Sequence, residues 1–415
     1  MTPARTWIER GRDWWPSLAL AAVAGLASVL FACWPQLVRL FGLRMHDCAF
    51  LDLHALLAAG EAYVGGLDPY LPNPLDFYHR PHVYSSWWLV MGEWGLVRAD
   101  AVWLGTLLVS AFIVAAACVV RPRSWREVMW GAAVILSPAV SLGVIRANND
   151  LVVFVLMAPL PWLLVREGLA ARLASVALIG FAAGLKYYPA VAGMLLLHAL
   201  DGRRVLWTFA LTAVLAALLA LGLYEDFLHF SHLVPRAEGL FSFGMALGLS
   251  ELGCPPVVGA AVLGAVGLVG FARGIRVARD DAGQITQVEE LRFLLGAVLL
   301  VACFGTAMNW SYRWVFALWI LPWLLRGGNG LMAGEGIRRI GRWLLVLVLW
   351  WDGVASVFFN FGPGRSLGLS PERYGMWTWA LIQPVHWIFF CGLAFIVAVW
   401  FGRSLVAARA TLFRD

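Results

Sequence analysis

"AVWLGTLLVSAFIVAAACVV", residues 101–120, is twenty residues without a charge, set between Asp100 and Arg121. A helix rising about 1.5 Å per residue would carry it across roughly 30 Å, the hydrocarbon thickness of a bilayer. Outward from this stretch, similar apolar runs recur near 15–36, 128–145, 151–165, 173–185, 189–200, 205–223, 255–272, 291–308, 314–325, 343–359 and 377–401. The chain is 61% hydrophobic and only 13% charged, where a soluble domain is about half apolar and a quarter charged. That balance excludes a water-soluble domain. The arginines are scattered between apolar runs, so the net charge of +6 does not mark a nucleic-acid surface. Backbone groups in lipid must be satisfied within the segment, so the spans should be helices. The expectation is an all-α polytopic membrane protein of about twelve transmembrane helices, forming a single integral membrane domain over 1–415. The basic and then long apolar start reads as a retained signal-anchor helix rather than a cleaved signal peptide.

Arginine placement orients the chain. With the amino terminus in the cytoplasm, twenty-one arginines fall on that side, in segments such as "RPRSWRE" (121–127), "RGIRVAR" (273–279) and "RRIGR" (338–342), and nine on the other. This is the positive-inside pattern, with both termini cytoplasmic. Counting "VYSSWWLVMGEWGLV" (83–97) as a crossing would invert every later loop, so it is read as an interfacial or re-entrant segment of a large first outer loop, about 37–100. The same face receives "RANND" (146–150), "YEDFLHFSHLVPRAEG" (224–239), "NWSYR" (309–313) and "FGPGRSLGLSPERYG" (361–375).

Two stretches on that face stand out. "GLKYYP" (184–189) holds the one lysine of the chain, against thirty arginines, at the end of an apolar run and before a helix-breaking proline. Ionisable groups at such depth usually serve a function or a partner; a snorkelling interfacial lysine is the plain alternative. "MHDCAFLDLHALLAAGEAYVGGLDPYLPNPLDFYHRP" (45–81) places Asp52 at the start of a helical pattern over 53–63. There it is an N-cap worth about 1 kcal/mol, a general base above a membrane cavity, or both. Asp47 is a second acid nearby.

The spacing D-L-x(5)-A-x-x-A-x-x-G-G-x-D-P-Y over 52–70 resembles the first-loop signature of the family 87 glycosyltransferases of the GT-C superfamily. These include polyprenyl-phosphate-mannose-dependent mannosyltransferases. "IRANNDLVVFVLMAPL" (145–160) is similar to a second region of that family, although Ala147 and Asn148 stand where Gln is usual. "GFAAGLKYYPAVAGMLLLHALDGRR" (180–204) is similar to a third. "NWSYRW" (309–314) carries Tyr312 and Arg313 where the family has a histidine pair. The resemblance covers the first half of the chain well and the second half loosely.

It implies a GT-C bundle in a bacterial inner membrane, with an extracytoplasmic site that moves a sugar, mannose first among candidates, from a polyprenyl-phosphate donor. The acceptor would be a hydroxyl of a lipid-linked or cell-envelope glycan. Resemblance and chemistry together assign Asp52 as the base, with inversion, and Lys186, Arg313 and Arg146 as cations for the phosphate that leaves. Asn148, Asn149, Asp150, Tyr187, Tyr312, His79 and Arg80 are candidates for substrate contact; Asn148, Asn149 and Asp150 read equally well as an N-cap cluster. On this reading Lys186→Ala weakens donor use and leaves the fold intact.

No P-loop or GxGxxG unit is visible, no cofactor is expected, and the donor is a lipid-phosphate-linked sugar. Glu225, His229 and His232 share one helical face and are the nearest approach to a metal set; without HExxH or DxD a polar loop is the better reading, and no metal is expected. His386, beside Gln383 and Pro384 in the last run, reads as a packed histidine. The six cysteines show no ligand spacing, and a Cys48–Cys254 disulfide stays open. The competing functions are a transporter or flippase of lipid-linked sugars, disfavoured by the lack of an internal repeat, and a glycan polymerase or ligase.

Overall fold

The computed structural model describes residues 14–166, 168–199, 204–234, 237, 239–280, 288–306, 309–327, 334–366 and 371–412. The principal helices are α1 (Trp15–Cys33), α2 (Leu51–Val64), α3 (Ala101–Val120), α4 (Trp125–Ile135), α5 (Pro138–Ile145), α6 (Asn149–Met157) and α7 (Leu169–Leu185). They continue with α8 (Arg204–Phe230), α9 (Pro256–Asp280), α10 (Val288–Thr306), α11 (Ala317–Arg326), α12 (Glu335–Ser356) and α13 (Pro371–Leu412). Among the described residues the one sheet is a two-residue antiparallel ladder, β1 (Ser242–Phe243) on β2 (Asn309–Trp310). The chain is an all-α, membrane-embedded protein.

Every one of the twelve apolar runs falls on helical structure, but they differ in continuity. Among the described residues six stretches are long and apolar enough to cross a bilayer: Trp15–Cys33, Arg98–Val120, Thr212–Phe230, Pro256–Ala278, Glu335–Phe361 and Ala380–Ala407. A seventh span is reached if α4 and α5 are taken together, although the pair is bent by 62°. Ser137 caps α5 and Pro138 opens it, which ends the preceding helix. The other runs give shorter helices, and Pro159 and Pro161 divide the run that follows α5. α10 begins with Glu289, Glu290 and Arg292, so its apolar part is short.

α10 and α11 pack together at the centre, with Phe293, Leu299, Phe316 and Trp319 fully buried. Trp319 stacks on Phe154 of α6 with ring centroids 4.6 Å apart. Such packing holds helices together in lipid, where no hydrophobic drive separates them from the solvent.

The helix ends gather into two polar poles. At one, Arg326 of α11 donates to Glu127 of α4 (2.8 Å), to Glu289 of α10 (3.3 Å) and to the carbonyls of Val120 and Arg121 after α3. Arg123 adds a 2.6 Å bond to Glu289. At the other pole lie the end of α5, the start of α6, the end of α7 and the loop over 37–100.

Within that loop α2, at 14 residues, is the longest helix. Segment 83–97 is folded into turns rather than a span, with a 3₁₀ turn at Ser86–Trp88 and a helical turn at Val90–Glu93. It crosses α2 at Gly60 and Gly92, so closely that a Cβ on Gly92 would stand 2.1 Å from the Gly60 carbonyl oxygen.

Candidate active site

The sequence pattern puts Asp52 near a helix start, and it lies at the second position of α2, not at the cap. The cap is Phe50, in a left-handed conformation (φ 50°) with no side-chain hydrogen bond. The Asp52 and Leu53 N–H groups, orphans of the first turn, donate to the Arg146 carbonyl at 3.0 and 3.4 Å. This anchors the start of α2 on the break between α5 and α6. The carboxylate is thereby left free for side chains. Arg146 grips it with both arms, Nε to Oδ2 at 2.9 Å and Nη2 to Oδ1 at 2.6 Å. Asn148 Nδ2 donates to Oδ2 at 2.7 Å.

Burial alone would raise the proton affinity of Asp52. The Arg146 charge and hydrogen bonds outweigh it, with Asn148 and Arg80 adding to the effect, and the group is held below the ordinary carboxylate range.

Arg80 brings in the far end of the loop. It forks onto Asp76 with two 2.9 Å bonds, donates to the Leu51 carbonyl at 3.0 Å, and stands 3.6 Å from Asp52 Oδ1. Asp76 is buried and also accepts the N–H groups of Tyr78 and Arg80. Those bonds and the Arg80 charge overcome its desolvation and lower its pKa.

The second half of the site is built on Asp150, fully buried in the first turn of α6. Asn148 caps α6, its Oδ1 accepting the Asp150 N–H at 2.9 Å, while its amide reaches Asp52. One asparagine thus caps the helix, as one of its two readings had it, and joins the two halves. Lys186 Nζ and the Tyr188 hydroxyl both donate to Asp150 Oδ1, and Arg313 Nε lies 3.8 Å from Oδ2. Tyr84, Tyr188 and Tyr312 surround the ammonium with ring centroids 5.6–5.9 Å away. Tyr84 and Tyr312 are in electrostatic reach of Asp52, Asp150 and Arg146 alike.

Two structural supports hold this half. α7 ends against the first loop: Trp88 Nε1 donates to the Leu185 carbonyl at 3.1 Å, and a Cβ on Gly184 would fall 2.1 Å from the Trp87 ring. Arg313 and Tyr312 follow Ser311, the residue after β2, which donates to the Phe241 carbonyl through its N–H (2.8 Å) and to Asp352 of α12 through its hydroxyl (3.4 Å). Asp352 also accepts the Phe241 N–H at 3.0 Å.

The candidates therefore divide. Asp52, Arg146, Asn148, Asp150, Lys186, Arg313, Tyr312 and Arg80 form one polar network. Asp150 Oδ1 is taken by Lys186 and Tyr188, which makes Asp150 the counter-ion to Lys186. Asn149 is buried beside them with both amide atoms unpartnered. Tyr187 is not in the network; its ring stacks on Phe230 of α8, and Tyr188 takes the place beside Asp150. His79 is exposed at φ 54°, and Asp47 is exposed.

Tyr84, Tyr188 and Asp76 were not singled out by the sequence reading. The i, i+4 spacing of Asp76 and Arg80 was the available signal for one of them.

The histidine of α8 takes another part. His229 stacks on Tyr70, whose hydroxyl donates to Asp226 at 3.3 Å, and Asp226 also accepts the Ser86 N–H at 2.8 Å. Among the described residues no group of three or more His, Cys, Asp or Glu side chains is placed to hold a metal ion. His386 is packed among Phe243, Trp314 and Phe390. All six cysteines are free, so Cys48 and Cys254 are not joined.

No protein-family model matches the chain, and no curated protein or solved structure matches it.

Proposed function

We propose that the protein is a membrane glycosyltransferase of the GT-C type. It moves a sugar from a polyprenyl-phosphate donor to a hydroxyl of a lipid-linked or cell-envelope glycan on the extracytoplasmic side. One observation carries the reading: an acid from the first loop and cations from three distant segments meet in a single buried network, joined through Asn148. Asp52 takes the proton of the acceptor hydroxyl, whose oxygen attacks the anomeric carbon with inversion. The bond to phosphate breaks and its electron pair stays on the phosphate. Arg146, Lys186 and Arg313 stabilise that charge, which grows toward the transition state.

A lipid-anchored donor suits a site at the ends of membrane helices, at the pole opposite the arginine-rich Arg326 cluster. In proteoliposomes supplied with polyprenyl-phosphate mannose and related donors, Asp52→Asn should cut transfer by about 10²–10⁴. Undiminished transfer removes Asp52 from the chemistry. Donor translocation without any transfer by the parent protein would establish a transporter instead.

A further inference from the structure

Asp52 is poised for proton transfer and yet occupied. Arg146 bonds both of its oxygens, Asn148 bonds one, and Arg80 is 3.6 Å away. A carboxylate so held is a weak base, since each donor favours the ionised form. The remaining cations are matched as well, Arg80 by Asp76 and Lys186 with Arg313 by Asp150. The network thus sets four cations, Arg80, Arg146, Lys186 and Arg313, against three carboxylates, Asp52, Asp76 and Asp150. It has one positive charge in excess, and a phosphodiester carries one negative charge.

Its hydrogen-bonding groups are also incompletely used. Arg313 Nε and Asp150 Oδ2 are buried with no hydrogen bond, and so is the whole Asn149 amide.

We propose that a singly charged lipid phosphodiester binds between Arg146 and the Lys186–Arg313 pair, draws the Arg146 guanidinium from Asp52, and by doing so switches Asp52 on as a base. The switch rests on the transferase reading and adds an order to it: donor first, acceptor deprotonation second. A planar five-donor fork is suited to the exchange, because one arm can hold phosphate while the other still touches the acid. Besides Arg146, Asp52 faces Asn148, Arg80 and His46, with Tyr84 and Tyr312 beyond. Arg80 is committed to Asp76 through two bonds, so Arg146 is the partner that an incoming anion removes most easily. Without a donor the base stays masked, and an acceptor alone or water is not activated.

Farnesyl methyl phosphate tests this. It is a phosphodiester with a lipid tail, no sugar, and no ionisation of its own near neutral pH. Its binding to the full chain in nanodiscs is followed by calorimetry in buffers of different ionisation enthalpy at about pH 5, above the ordinary aspartate value of about 3.9. The parent protein should take up protons on binding, and Asp52→Asn should not. Arg146→Lys, which cannot fork, begins with the acid partly released, so its uptake should be at least about twofold smaller. Binding with no Asp52-dependent uptake, or uptake unchanged in Arg146→Lys, overturns the switch and leaves the transferase reading standing. Failure of the phosphodiester to bind at all overturns both.

Discussion

Lys186 is 6% exposed and its partner Asp150 is fully buried. Taking Lys186 from the pair leaves Asp150 with only the Tyr188 hydroxyl and Arg313, 3.8 Å away, at a cost of up to about 3–5 kcal/mol. The expectation that Lys186→Ala would spare the fold is therefore replaced. That variant should unfold at markedly lower temperature than the parent in the same detergent. Lys186→Met combined with Asp150→Asn should recover part of the loss, because the fully buried carboxylate is gone and only the partly exposed Arg313 then lacks its partner. Equal melting of Lys186→Ala and the parent would mean that the ion pair contributes nothing.

The sequence made Lys186 conspicuous, as a lone ammonium at an apolar boundary. It did not disclose the partner, because Asp150 is 36 residues away and only tertiary packing brings the two together. Nor could it choose between Tyr187 and Tyr188. The chain passes from α7 through an extended Lys186 into a 3₁₀ turn, so helical phase is lost at that point. Ala147, at φ 42° between Arg146 and Asn148, is likewise a feature of the break that no periodicity foretells.

The first loop was legible as a non-spanning element, and its GGLDPY motif as a turn. Its docking was not legible. Tyr70, the last residue of that motif, ties the loop to α8 through Asp226, a contact across 156 residues. Next to it His82 is buried, and its ring nitrogen is 3.1 Å from the Ser85 carbonyl oxygen. Burial lowers its pKa from 6.5 to about 4, against small opposing contributions from that hydrogen bond and from Asp226.

The sign follows directly. Between those two values the released loop binds a proton that the docked loop does not, so docking is full above about pH 6.5 and weakens as pH falls toward 4, by at most roughly 3 kcal/mol. Asp52 and Asp76, both lowered, act in the same direction at still lower pH. Amide exchange over 70–90, corrected for intrinsic rates, should rise from pH 7 to pH 4.5, and His82→Asn should flatten the profile. A parent profile already flat would exclude His82 as the titrating group.

For the whole molecule, composition revealed how much chain is apolar, and packing decided how much of it is continuous. Among the described residues the twelve runs resolve into six full-length helices, or seven with the bent pair, and into shorter pieces interrupted by proline or by charge. The break between α5 and α6 and the end of α7 border the polar network, whereas the charged start of α10 lies at the other pole. The opposite pole carries the Arg326 cluster, which binds the ends of α3, α4, α10 and α11 to one another.

The bend between α4 and α5 has a further consequence, which concerns the lipid. Limbs of 11 and 8 residues measure about 16 and 12 Å. Joined at 62° they reach about 25 Å end to end, against roughly 30 Å of hydrocarbon. Arg146 and its neighbours then sit beneath the level of the headgroups unless the bilayer thins around them. Thickness becomes a control variable, since mismatch costs a fraction of a kcal/mol per Å. Turnover should be faster in vesicles of short-chain phosphatidylcholine than in long-chain ones. Rates that ignore acyl length would mean that the membrane does not deform at this edge of the bundle.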